Sequence, residues 1–183
     1  LLPRLSTPLR PHLPEVVAAK GKKRGRVGFF LGCVMSLMFP EVSRQTVKVL
    51  SAQGFEVVTP KDIKCCGAPH MNEGDRETAS QLANHNASTM IDAEVDYIVT
   101  DCAACGAVLK EYVEIAGQGS RLPLKDFQKK VRDVSEFLVE AGMRTENFKT
   151  VSRNVTFHEP CHLCHAQGVS SQPRQIINQI PGV

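Results

Sequence analysis

The chain has 183 residues, 42% hydrophobic and 22% charged, which suits one sizeable domain or one domain plus a piece of another and excludes a disordered chain. Its 22 Lys and Arg against 19 Asp and Glu leave a formal charge of +3. No apolar run nears the ~18–20 residues that cross a bilayer, so a membrane-spanning helix is excluded as well.

The opening residues show no charged segment followed by an apolar one, as a secretory signal would. Leu1 in place of an initiator Met reads as the start of a fragment. Residues 1–26 hold seven of the bases (Arg4, Arg10, Lys20, Lys22, Lys23, Arg24, Arg26) against a single acid, Glu15, leaving 15 bases and 18 acids for the rest. Four prolines and no apolar periodicity make this stretch an extended basic arm or linker. The run Lys20–Arg26 has the charge to meet nucleic acid or anionic lipid. With two Tyr and no Trp in the chain there is little surface for stacking bases, so it reads as a solvated linker without a nucleic-acid partner.

From Val27 the pattern becomes that of a folded α/β unit. Val27–Leu31 predicts a buried strand, followed by Gly32 and Cys33 in a loop. Pro40 opens a helix that runs to about Gln53, with Val42, Thr46, Val49 and Leu50 expected on one face and Gly54 ending it. Phe55–Val58 predicts a second strand, and the loop 64–72 carries Cys65, Cys66 and Gly67. A helix over about 73–92 follows, with Ala79, Leu82, Ala83 and Met90 at helical spacing. Tyr97–Thr100 predicts a third strand, leading into Cys102–Cys105 and a helix over Ala107–Ile115. A helix near Ser135–Ala141 and a strand near Val155–Phe157 complete the prediction. Strand and helix in alternation imply an α/β fold with a mainly parallel sheet flanked by helices.

Seven cysteines stand out. An odd number with no export signal argues against a disulfide framework and for metal or redox chemistry in a reducing compartment. Cys33, Cys65/Cys66 and Cys102/Cys105 each follow a predicted strand closely. In an open parallel sheet the loops beyond the carboxyl ends of the strands converge in one crevice, so these groups are expected to meet at one edge. Thiolate is the soft ligand preferred by iron–sulfur clusters, zinc and copper(I). Vicinal cysteines seldom both face one metal, and they suit a larger cluster in which neighbouring sulfurs bind different irons. Gly67 and Gly106 beside them leave room for backbone N–H groups to approach.

The full spacing is Cys33, 31 residues, Cys65-Cys66-Gly67, 35 residues, Cys102-Ala-Ala-Cys105. It resembles the cysteine-rich CCG domain found in heterodisulfide reductase and in the iron–sulfur subunits of glycolate and lactate oxidation complexes. Val27-Gly-Phe-Phe-Leu-Gly-Cys33-Val-Met, Cys65-Cys66-Gly67-Ala-Pro-His70, Cys105-Gly-Ala-Val-Leu-Lys-Glu-Tyr112 and His158-Glu-Pro-Cys161-His162-Leu look most like the glycolate oxidase iron–sulfur subunit. The resemblance implies a 4Fe–4S-type cluster, cubane or noncubane, on Cys33, Cys65, Cys66, Cys102 and Cys105. It also implies an electron-relay role in a 2-hydroxy acid dehydrogenase complex whose partner subunit carries FAD. Family members of this kind usually hold two CCG motifs, and Cys161 looks like the first cysteine of the second, an incomplete metal site here. On this resemblance residues 27–150 form the first CCG domain and 151–183 open a second. The compartment expected is the cytoplasm, with at most peripheral contact at the inner face of a membrane.

Other readings compete for the same residues. Four thiolates make a closed zinc site, and a zinc-stabilised docking module is the alternative function. Reduction of a heterodisulfide or quinone at the cluster itself is a third. Cys102-Ala-Ala-Cys105 mimics a thioredoxin pair but leaves Cys33, Cys65 and Cys66 without a role. Cys161-His-Leu-Cys164-His165 matches the c-type haem pattern, which arises easily by chance, and Cys164 departs from the family pattern. His70, His158 and His162 read as loop residues or hydrogen-bond donors near a cluster, and no catalytic array accompanies them.

Overall fold

A computed structural model describes Leu9 and residues 12–117, 119–146 and 148–183. Five strands form one sheet in the order β1-β3-β2-β4-β5. Here β1 is Val16–Val17, β2 Gly25–Phe29, β3 Phe55–Val58, β4 Tyr97–Thr100 and β5 Val131–Asp133. The β2–β3, β2–β4 and β4–β5 pairs are parallel, and β1 runs against its neighbour. Val27 lies between Val57 of β3 and Tyr97 of β4, which makes β2 the centre of the parallel set.

Among the described residues the helices are α1 (Cys33–Met38), α2 (Pro40–Ala52), α3 (Ala68–Asn72), α4 (Arg76–Asp92), α5 (Ala103–Leu109), α6 (Tyr112–Ala116), α7 (Leu124–Lys130), α8 (Val134–Ala141), α9 (Cys161–Cys164) and α10 (Ser171–Ile177). Side chains alternate across the strands, so the sheet feeds two cores. Val27, Phe29, Val57 and Val99 pack with Leu50 of α2 and Phe137 and Leu138 of α8. Val58, Ile98 and Val131 pack with Ala83, Ala87 and Met90 of α4, Leu109 of α5, Tyr112 of α6 and Phe127 of α7. The result is a mixed α/β fold, mostly parallel and covered on both faces.

Topology decides where a ligand can sit. From β2 the chain moves outward through α1 and α2 to β3. It then returns past β2, through α3 and α4, to β4. The order therefore reverses between β2 and β4, and the crevice beyond their carboxyl ends is the switch point at which such sheets bind ligands.

Several predicted details change. The described part of the N-terminal segment is laid on the fold rather than left free. Leu9 and Leu13 are buried in the core, β1 pairs with β3, and Arg24 stacks over Phe55 at 4.9 Å. Arg4 and Arg10 lie outside the described residues. In α2 the buried face is Ser43, Thr46, Val47, Leu50 and Ser51, while Val42 and Val49 are exposed. The hydroxyl of Ser43 turns inward to donate to Asp101 at 2.7 Å. The helix expected over 107–115 is two, with α5 ending at Leu109 and α6 starting at Tyr112, and between them the Lys110 carbonyl accepts from Gln128 Nε2 at 2.6 Å. Residues 155–157 form no strand, since no described strand lies beside them and Val155 is exposed. Beyond them α9 packs on α5 and α10 on α8. No helix among the described residues is long and apolar enough to cross a membrane.

Candidate metal centre

Each cysteine group lies where a strand gives way to a helix. Cys33 is the first residue of α1, after β2. Cys102 caps α5, after β4, and Cys105 lies within that helix. Cys65 and Cys66 precede Gly67, which caps α3 with φ +98°, a left-handed conformation that glycine alone adopts without strain. Thr100, fully buried, ties two of these loops together. Its hydroxyl donates to the Phe30 carbonyl at 3.1 Å and accepts from the Cys102 N–H at 3.3 Å.

Three sequence-distant groups thereby meet in one continuous chain of thiols. Cys33 Sγ lies 3.7 Å from Cys65 Sγ. Cys65 in turn contacts Cys66, Cys66 contacts Cys105, and Cys105 contacts Cys102. The adjacent residues Cys65 and Cys66 thus face different neighbours. A Cβ placed on Gly32 would sit 3.1 Å from Cys105 Sγ and 3.8 Å from Cys102 Cβ, so glycine there keeps the space between the loops open.

Proton sharing among these thiols is uneven. Cys65 is held far below the usual thiol range, first by the hydrogen bond from Cys33, then by that from Cys66, with the Gly67 N–H adding to both. Cys102 is lowered to about 7, chiefly by Cys105. The donors move in the opposite direction. Cys33 is pushed up by its bond to Cys65 and by burial, and Cys105 by its bonds to Cys102 and Cys66 and by burial. Cys66 rises to about 12: its bond with Cys105 lowers it, but Cys65 and burial outweigh that. Five thiols in a half-buried site cannot all lose their protons against one another unless a cationic centre takes up the charge.

That donor set fits a cluster better than a single ion. Backbone N–H groups of Val34, Gly67, Ala68 and Ala104 point at Cys33, Cys65, Cys66 and Cys102 respectively, the kind of donor that stabilises cluster sulfur. Among the described residues no group of three or more His, Cys, Asp or Glu side chains is disposed to hold one metal ion. Five thiols, two of them on adjacent residues, exceed the four that close a tetrahedral single-ion site and suit a larger cluster.

Cys161 does not join this row. It is exposed on α9, and Cys164 turns its thiol to the Pro160 carbonyl at 3.3 Å. His158 and His162 are exposed. His70, on α3, pairs with Asp75 at 3.3 Å. Two side chains that sequence reasoning did not assign to the site grip the loop from beneath. Asn86 accepts from the Lys64 N–H and donates to the Cys65 carbonyl, both at 2.8 Å. Tyr112 donates to the Cys66 carbonyl at 3.0 Å. The available signal was a polar residue, Asn86, set in the apolar stripe Ala79, Ala83, Ala87, Met90 of α4.

The sequence pattern of the cysteine-rich domain family CCG matches residues 27–110 and 155–183. An uncharacterized iron–sulfur protein of Methanocaldococcus jannaschii is 34% identical over 174 residues, covering 95% of this chain and 33% of that protein. A fumarate reductase (CoM/CoB) subunit of Methanothermobacter marburgensis is 37% identical over 158 residues, 86% of this chain and 30% of the relative. A probable glycolate oxidase iron–sulfur subunit of Bacillus subtilis is 32% identical over 174 residues, 93% of this chain and 39% of the relative. The chain thus spans about a third of the length of these relatives.

Proposed function

The chain belongs to the cysteine-rich CCG domain family, and from that premise we propose that it is the cluster-bearing, electron-transferring part of a glycolate oxidase-like 2-hydroxy acid dehydrogenase complex. The observation that carries the reading is the continuous row Cys33–Cys65–Cys66–Cys105–Cys102 at the switch point of the sheet. In this reading those five thiolates hold a 4Fe–4S-type cluster, which when bound supplies uptake and release of single electrons. The residues around it bind and tune. The thiolates would neutralise iron charge, the N–H groups of Val34, Gly67 and Ala68 would donate to the cysteine sulfurs, and buried Phe30, Ile63 and Leu109, in one core cluster with Cys66 and Cys105, would keep water out.

A flavin partner carrying FAD would oxidise the 2-hydroxy acid and pass electrons to this chain, which turns over no substrate of its own. The relatives named as oxidoreductase subunits support such a complex. The separate family match over 155–183 supports reading residues 151–183 as the opening of a second CCG half, with Cys161 its first ligand. The complex would work in the cytoplasm, touching the membrane at most peripherally.

Anaerobic titration of the cluster-loaded chain with reduced flavin tests the relay. Visible bleaching that reverses on adding a one-electron acceptor is expected. A loaded chain that takes no electrons from reduced flavin contradicts the reading.

A further inference from the structure

The peptide groups that carry the vicinal thiols are held by two buried side chains rather than by a strand or helix. Asn86 is completely buried, and its amide bonds to this loop and to Tyr112. Its Oδ1 accepts from the Lys64 N–H at 2.8 Å, while Nδ2 donates to the Cys65 carbonyl at 2.8 Å and to the Tyr112 hydroxyl at 3.1 Å. Tyr112, equally buried, passes the connection on to the Cys66 carbonyl at 3.0 Å. Burial raises its phenol well above the usual range, so it stays a neutral donor. The ring is fixed independently by stacking on Phe127, with centroids 5.4 Å apart.

An amide and a phenol in an apolar core are tolerated only when their hydrogen bonds are satisfied. Small residues on the same face of α4, Ala79, Ala83 and Ala87, let the helix come close enough for Asn86 to reach the loop. Gly67, which follows the two cysteines beside Ala79, turns the chain into α3 through a left-handed backbone (φ +98°) that favours glycine. Cys65 and Cys66 follow one another in the chain yet reach Cys33 and Cys105 respectively, and the carbonyls of both residues are the ones the two side chains clamp.

We propose that Asn86 and Tyr112 are positioning residues for the cluster, fixing the Cys65–Cys66 backbone so that the two neighbouring sulfurs each reach a different further thiol, Cys33 and Cys105. This role rests on the five thiols binding a cluster. Groups that orient ligands in this way typically change metal affinity about 10–100-fold when removed.

The whole 183-residue chain is loaded anaerobically with iron and sulfide as wild type, Tyr112→Phe, Asn86→Leu and Asn84→Ala. Asn84 is the reference, because it lies on the same helix but bonds to the Ser80 and Ala116 carbonyls, away from the thiols. The readouts are the EPR line shape of the reduced protein, the rate of iron loss to a chelator and the melting of the metal-free chain. Tyr112→Phe keeps the ring and removes one hydroxyl. It is expected to alter the line shape and lose iron about tenfold faster, whereas Asn84→Ala matches wild type at equal or greater loss of melting temperature. Wild-type line shape and retention in both Tyr112→Phe and Asn86→Leu overturn the clamp. So does equally fast iron loss from Asn84→Ala, which would assign the effect to general loosening. A wild-type chain that takes up no iron and sulfide overturns the cluster reading beneath it instead.

Discussion

Thr100 and Thr59 are both fully buried or nearly so, at 0% and 1% exposure, and the same substitution is expected to move stability in opposite directions at the two sites. Thr100 holds the loop after β2 to the loop after β4 through its bonds to the Phe30 carbonyl and the Cys102 N–H. Thr100→Val breaks both. A neutral hydrogen bond nets about 0.5–1.5 kcal/mol, and a buried group left without a partner costs about 1–3 kcal/mol. The Cys102 bond is long and partly open to solvent, so the total is about 2–3 kcal/mol. The Thr59 hydroxyl, by contrast, is buried with no hydrogen-bond partner among the described residues. Thr59→Val removes an unsatisfied polar atom at constant shape and is expected to stabilise by about 1 kcal/mol. Urea unfolding of the metal-free, reduced chain reads both differences. In melting temperature they amount to a fall of about 4–12 °C and a rise of about 2–4 °C at this chain length. Thr100→Val within about 0.5 kcal/mol of wild type, or both variants shifting the same way, refutes the hydrogen-bond argument.

Two further outcomes test the frame around the site. Arg24→Ala should cost about 2–3 kcal/mol, since the guanidinium donates to the carbonyls of Gln53, Ala141 and Gly142 and covers Phe55. Arg24→Lys should recover less than half of that by the same unfolding assay, because an ammonium cannot span three carbonyls. Asp133 caps α8, accepting from the Ser135 N–H at 2.8 Å while its own N–H donates to Glu136, and burial raises its carboxyl above the usual range. The folded chain therefore holds this proton more tightly than the unfolded one. The group's contribution is full below pH ~3.8 and is lost as pH climbs through the folded value. Asp133→Asn, which keeps a capping oxygen, should make the slope of stability against pH just above ~3.8 more positive than in wild type, measured by urea unfolding between about pH 3.5 and 6. An unchanged slope would contradict the burial argument.

How far the sequence could be read depended on the length of each signal. Three central strands were legible because Val27–Leu31, Phe55–Val58 and Tyr97–Thr100 are apolar runs bounded by glycine, proline or a cysteine loop. The edge strands β1 and β5 have two and three residues, too few for any periodicity, and exist because neighbours present free edges. The break between α5 and α6 and the inward turn of Ser43 coincide with long-range bonds, to Gln128 and Asp101, which no local pattern encodes. At the site, strand-then-cysteine spacing predicted that Cys33, Cys65, Cys66, Cys102 and Cys105 meet at one edge, and the topology brings them together there. Asn86 and Thr100 escaped because each looks like an ordinary polar residue until its distant partners are known. The strand expected near Val155 failed for the converse reason: an apolar run makes a strand only where a neighbouring edge accepts it.

Whether the row of thiols holds an iron–sulfur cluster is tested most directly by metal content with EPR on the anaerobically reconstituted chain, beside a Cys65→Ser/Cys66→Ser variant. About four irons per chain, with an EPR signal lost or altered in the variant, is the expected result. About one tightly bound zinc per chain with no iron retained would contradict it and leave a structural metal in place of an electron carrier.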